Sequence, residues 1–261
     1  FVPCLPCWPI KKIKLQGKYA GYDTDDLIVF VERADDCQER KLLGQIKHSL
    51  CITEGDKVFG EVIQAAWSDF SNANVFTKGN DIIALITGPL SATDSNNVRT
   101  VLEWARHSES ARDFLTQVEQ TNFSSKDKRN KLNAFRTQLN MANGRKNVSD
   151  EELWQFLRSF YLLGYDLDIK AGVNLSLLHS LIGQYSQESA QALWAQIIVE
   201  VQSVNQNAGT ITTATLPDEL KSAFKARIIE TIPATFSKTP TPPASVDWNH
   251  APYASELAIT N

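Results

Sequence analysis

The stretch Asp25-Asp26-Leu27-Ile28-Val29-Phe30-Val31, a charged connection at 33–40, and then Leu42-Leu43-Gly44-Gln45-Ile46-Lys47-His48 decide the fold. Two short apolar runs rich in β-branched residues flank a polar segment, which predicts a β-hairpin. An acid pair opens the hairpin and Gln-x-Lys closes it. Side chains alternate across a strand, so Gln45 and Lys47 share one face while Ile46 points to the other. An antiparallel partner brings Asp26 beside them. A carboxylate, an amide oxygen and an ammonium then converge at one end of a sheet.

That grouping suits phosphodiester hydrolysis. A hard divalent cation takes oxygen ligands, and Mg²⁺ commonly uses only one or two protein carboxylates, with water and phosphate completing its shell. Asp26 is the expected metal ligand, joined by the Gln45 side-chain oxygen and the Ile46 carbonyl, with Mg²⁺ or Mn²⁺ as the cofactor. The metal would polarise the phosphate and lower the pKa of a bound water. Lys47 would orient that water and offset charge on the pentavalent transition state. From spacing alone the same residues also read as a surface hairpin with solvated acids and a solvated lysine, since short motifs match by chance.

The pattern Asp-Asp, apolar strand, turn, apolar strand, Gln-x-Lys-His resembles the PD-(D/E)xK nuclease superfamily, in its variant with Gln at the acidic position of the third motif. More closely, it is similar to the Cap-type double-stranded DNA endonuclease domain of CBASS effectors and of anti-phage STAND NTPases of the AVAST type. The likeness continues through Phe59-Gly60-Glu61-Val62-Ile63-Gln64-Ala65-Ala66-Trp67-Ser68-Asp69-Phe70, similar to the helix after the Gln-x-Lys strand. Asp81-Ile82-Ile83-Ala84-Leu85-Ile86-Thr87-Gly88-Pro89-Leu90-Ser91 is similar to the next strand and turn. The resemblance runs from about residue 21 to about 224. It lacks the acidic helix that often precedes the first Asp, and it does not reach the first twenty residues. It implies a metal-dependent endonuclease acting on double-stranded DNA, the effector of a bacterial defence protein activated by oligomerisation. It also implies a catalytic set of Asp26, Gln45, Lys47 and Asp25, with Asp26 as the metal ligand because it directly precedes the strand. His48 joins the residues expected to touch nucleic acid. A nuclease-like fold that binds DNA or mediates assembly without catalysis is the alternative.

Bulk properties bound these readings. With 261 residues, 43% apolar and 21% charged, the chain suits one large domain or two small ones and is ordinarily globular. No apolar run approaches the roughly 18 residues of a membrane span, so no membrane partner is expected and a cytoplasmic location is. A net charge of −4 argues against a passive DNA coat but leaves room for local basic patches. Cys4-x-x-Cys7 has zinc-like spacing without a second pair, so Cys4, Cys7, Cys37 and Cys51 are expected as free thiols. Three Asn-x-Ser sequons are ascribed to chance. The chain begins at Phe, as a fragment would.

Along the chain, Ile10-Lys11-Lys12-Ile13-Lys14-Leu15 alternates apolar and basic residues and predicts a strand beside the hairpin. Apolar residues from Val58 to Phe70 recur at helical spacing, with Glu61 off the stripe. Residues 81–87 form a continuous apolar run, the mark of a buried strand. A helix near 94–105 follows, and then helices at about 109–120, 125–142, 150–163, 172–186, 188–207 and 216–230. Lys126, Lys128, Arg129, Lys131 and Arg136 form the densest basic cluster, a candidate DNA-backbone contact as well as an ordinary solvated helix face. Prolines make 231–245 an extended linker; the resemblance implies that an NTPase or sensor module follows it, and no phosphate-binding loop occurs in this chain. The expected architecture is α/β: a PD-(D/E)xK-like mixed sheet flanked by helices at 1–165, a helical extension at 166–230, and a linker with the start of a further module at 231–261.

Overall fold

A computed structural model describes residue 2 and residues 4–167, 172–186 and 189–223. In chain order its elements are β1 (Ile10–Leu15), a short 3-10 turn (Gly17–Ala20), β2 (Leu27–Glu32), β3 (Glu39–Lys47), α1 (Lys57–Ser71) and β4 (Ile82–Thr87). Then come α2 (Ala92–His107), α3 (Ala111–Glu119), α4 (Lys126–Ala142), α5 (Asp150–Ser159) and β5 (Phe160–Gly164). Last are α6 (Val173–Tyr185), α7 (Ala190–Gln206), β6 (Thr210–Ile211) and α8 (Asp218–Ala223).

The hairpin forms the middle of a six-stranded mixed sheet, in the order β5-β4-β3-β2-β1-β6. β2 pairs antiparallel with β1 and β3, and the register sets Leu27 opposite Gly44 and Ile28 opposite Leu43. β4 lies parallel to β3, and β5 parallel to β4, so each is reached by a helical crossover. The chain is therefore mixed α/β, a six-stranded mixed sheet flanked by helices.

Alternation along the strands divides the core. Ile28, Phe30, Leu43, Ile83 and Leu85 face the helices, packing with Phe59, Ile63 and Phe70 of α1 and with Phe135, Phe156 and Leu102. Phe59 meets Phe135 edge-on at 5.1 Å between centroids, a geometry that aromatic quadrupoles favour. The other face carries Val29, Val31, Leu42, Ile82 and Ala84, covered by Val2, Leu5 and Trp8. The proline-broken N-terminal segment thus supplies apolar cover to the sheet. Helix starts follow local chemistry: Asp56 accepts the Phe59 N–H at 2.7 Å, and Ser149 and Glu152 form a capping box on α5.

One expectation changes. The helix read at 150–163 ends at Ser159, and Phe160-Tyr161-Leu162-Leu163 continues as β5. An aromatic and leucine run fits either periodicity, and the open edge of β4 selects the strand. Of the helix expected at 216–230, Asp218–Ala223 is helical, and 224–230 lies outside the described residues, as does the linker at 231–261. α6, α7 and α8 share a small apolar cluster around Ile182, Leu193 and Leu220. The short β6 pairs with β1, Ile13 opposite Ile211, which ties that helical extension to the sheet. Among the described residues no helix is long and apolar enough to cross a membrane.

Candidate active site at the end of the hairpin

The hairpin register carries Asp26 to the C-terminal end of β3. By alternation with Ile28 and Phe30, Asp26 falls on the helix-covered face, and Gln45 and Lys47 join it there by alternation with Leu43. The Gln45 amide donates to Asp26 Oδ2 at 2.5 Å, and the Ile46 backbone N–H donates to the same oxygen at 2.7 Å. Gln45 is buried, while Asp26 and Lys47 are half-buried. The Lys47 ammonium has no hydrogen bond or ion pair among the described residues. Three of the expected residues therefore meet at one sheet end, with one cation unspent.

Asp25, on the opposite side of the backbone, makes no such contact. Burial raises its pKa, and the neighbouring Asp26 carboxylate raises it further. Its carbonyl accepts the Gly17 N–H at 2.6 Å, which fixes the entry into β2.

The loop before β2 hangs on α1. Asp69, buried in the last turn of α1, accepts the N–H groups of Asp23 at 2.9 Å and Thr24 at 2.6 Å. Asp23 in turn accepts from Ser68 at 2.5 Å and pairs with Lys18 at 2.7 Å, and these partners hold its carboxyl below the usual range. Asp69 itself is pushed up by burial against the pull of those backbone donors. Glu61 is exposed and lines a shallow pocket with Lys18, Asp23 and Ser68.

The basic cluster is mostly engaged. Lys131 is buried, pairs with Asp94 and donates to the Ile52 carbonyl at 2.8 Å. Arg129 donates to the Ser124 carbonyl at 2.6 Å, and Arg136 pairs with Asp150 at 2.8 Å. Lys128 lies 5.6 Å over the Trp104 ring, which leaves Lys126 as the fully exposed member. Lys131 thus acts as an internal clamp between α4, α2 and the segment after β3. His48, next after Lys47, is exposed. All four cysteines are free and exposed.

Two polar residues escaped the sequence reading. Asp69 sits beside Ala66 and Phe70 on the apolar stripe of α1, and a carboxylate on a core stripe is the signal that marks it. Thr87 stands opposite Lys47 in the β3–β4 register, is buried, and its hydroxyl has no partner among the described residues.

The donor set is oxygen-rich and poor in charge. Among the described residues no group of three or more His, Cys, Asp or Glu could hold a metal ion. Asp26 and Gln45 fit a hard divalent cation in one specific respect. The Gln45 amide already lies against Asp26, and a half-turn of that amide places its oxygen beside the carboxylate. Ile46 directs its N–H toward Asp26, and in a strand the carbonyl of the same residue leaves by the same edge. Compared with known family models, curated proteins and solved structures, the chain matches none of them.

Proposed function

We propose that this chain is a metal-dependent endonuclease domain that hydrolyses double-stranded DNA, with Asp26, Gln45 and Lys47 at its centre. One observation supports this reading above the others. The Asp26 carboxylate, Gln45 amide and Ile46 backbone are in hydrogen-bonded contact beside an uncommitted Lys47, on one face of a sheet end.

Asp26 and Gln45, with the Ile46 carbonyl, would hold Mg²⁺ or Mn²⁺. When bound, the cation supplies charge neutralisation at the phosphate and a lowered pKa for an attached water. Lys47 carries three donors and no acceptor, so its task is to orient the attacking water and to balance the charge that grows on the phosphate oxygens. The attacking water would give up a proton to solvent as its oxygen bonds to phosphorus, the opposite P–O bond breaks, and the departing oxygen takes up a proton from solvent. Asp69 and Asp23 keep the Asp26 loop in place and touch neither phosphate nor cation.

Cutting both strands needs two such centres facing opposite backbones, which one copy does not supply at once. The reading therefore includes activation by assembly, as the effector part of a larger cytoplasmic defence protein. Tethered copies reach effective concentrations of roughly the millimolar range.

The test uses supercoiled plasmid with the free chain, and with the chain fused to an unrelated tetramer, at equal protomer concentration. Mg²⁺-dependent linearisation that EDTA and Asp26→Ala both abolish is expected, and it should be stronger for the fusion. Absence of metal-dependent nicking in both forms would overturn the nuclease reading. Equal activity of the two forms would overturn assembly gating alone.

A further inference from the structure

At the far end of the sheet from Gln45 lies a cavity of about 320 Å³ that the proposed cleavage site does not use. It opens where β3, β4 and β5 begin. Arg40 lines it from β3, Arg106 from α2 and Arg158 from the end of α5, with Cys4, Ser159 and Tyr161 beside them. Arg40 alternates with Leu42, and Tyr161 packs with the N-terminal segment, so these two line the cavity from the face opposite Gln45, while Arg106 and Arg158 reach it from α2 and α5. Five residues of strand, roughly 16 Å, separate Arg40 from Gln45.

Positive charge here exceeds what the protein itself neutralises. Asp81 is the single carboxylate in the lining, and it is already engaged. It accepts the Lys41 N–H at 2.9 Å and the Thr77 N–H at 2.8 Å, and the Lys41 ammonium lies 3.3 Å away. Arg106 is held by Glu103 at 2.7 Å and by the Phe160 carbonyl at 2.9 Å, with its guanidinium 4.0 Å over the Tyr161 ring.

The other two arginines are oriented but unpaired. Arg158 lies 4.5 Å over Trp154, and Arg40 lies 5.2 Å over Trp8. Stacking uses the flat face of a guanidinium and leaves its in-plane N–H groups for another partner. Among the described residues neither side chain has a hydrogen bond or ion pair, and the Arg40 Nε is buried with no acceptor. A buried donor on a permanent cation is costly unless an anion meets it.

We propose that this cavity is a binding site for a phosphate monoester. Guanidinium forks match phosphate oxygens two at a time, and a dianion balances the two unpaired arginines. The cavity volume is at the lower end for small-molecule sites, sufficient for a phosphate with a small organic group. A free phosphorylated molecule and the 5′ end of a nucleic acid strand present the same group.

Calorimetric titration with inorganic phosphate, at ionic strength held constant with NaCl, tests the site. Saturable binding is expected, weakened at least tenfold by Arg158→Gln and by Arg40→Gln. Arg158 is exposed, so Arg158→Gln remains informative if Arg40→Gln fails to fold. Arg158→Lys should restore little, because an ammonium lacks the fork. Absence of saturable binding or wild-type affinity in Arg158→Gln would overturn the proposal. In a second arm, preference for a 5′-phosphorylated over a 5′-hydroxyl oligonucleotide, lost in Arg158→Gln, assigns the phosphate to a strand end. Binding of a mononucleotide without that preference assigns it to a free molecule.

Discussion

Asp69 accepts the backbone N–H of Thr24 at 2.6 Å, two residues ahead of Asp26, and so couples the last turn of α1 to the start of β2. Its second oxygen takes the Asp23 N–H. Asp69→Asn places an amide N–H where two donors converge, and should cost about 1–3 kcal/mol of stability. Burial raises the Asp69 pKa, so the folded state holds this proton more tightly than the unfolded chain. Stability must then fall as pH rises from the ordinary value of 3.8 through the raised one, and level off above it. Urea titrations across that range should show this segment in the wild type and not in Asp69→Asn.

Asp26 and Asp25 make a sharper pair of variants, because neighbouring strand residues face opposite ways. Asp26→Ala should abolish cleavage. It should lower stability by no more than about 1 kcal/mol, since water replaces the lost acceptor at a half-exposed site. Asp25→Ala should keep cleavage. Dead Asp25→Ala beside active Asp26→Ala would place the register wrong by one residue.

For Lys47 the expected signature is kinetic. Lys47→Ala should reduce single-turnover cleavage by roughly 10²–10³-fold while DNA affinity changes little. Lys47→Arg should recover only a minor part, as a planar guanidinium is a poor substitute for a compact ammonium. A comparable loss in affinity and rate would make Lys47 a binding residue instead.

Thr87 lies on the strand next to Lys47 with a buried hydroxyl that has no hydrogen-bond partner among the described residues. Thr87→Val is close to isosteric and removes that desolvated group. The variant should be more stable by about 1 kcal/mol, read as a raised midpoint in urea. A loss of stability would show that the hydroxyl has a partner in solution.

The central hairpin was legible because its alternation, its turn and its flanking polar residues all pointed one way. The pairing of Asp26 with Gln45 follows from that register, and the structure places the two in contact. β5 was not legible. Leu153, Trp154, Phe156, Leu157 and Phe160 read as one continuous helical stripe, and only an unpaired edge on β4 distinguishes its last residue as strand. Lys131 was read as solvent-facing because its neighbours are basic, whereas its partners Asp94 and Ile52 lie far away in sequence. The arginine cavity was invisible for the same reason: Arg40, Arg106 and Arg158 come from three separate parts of the chain.

β1 is flanked on one side by β2, which follows it closely in the chain, and on the other by β6, which arrives after nearly two hundred residues. On a growing polypeptide the hairpin partner emerges almost at once, whereas Ile211 emerges only after α6 and α7 have been made. For that interval the outer rim of the sheet carries bare N–H and C=O groups, the arrangement most prone to recruit a strand from another molecule. Lys11, Lys12 and Lys14 crowd that rim. Charge at such positions discourages intermolecular pairing, so the basic strand serves as a guard during synthesis and as an ordinary ladder once Thr210 and Ile211 close over it.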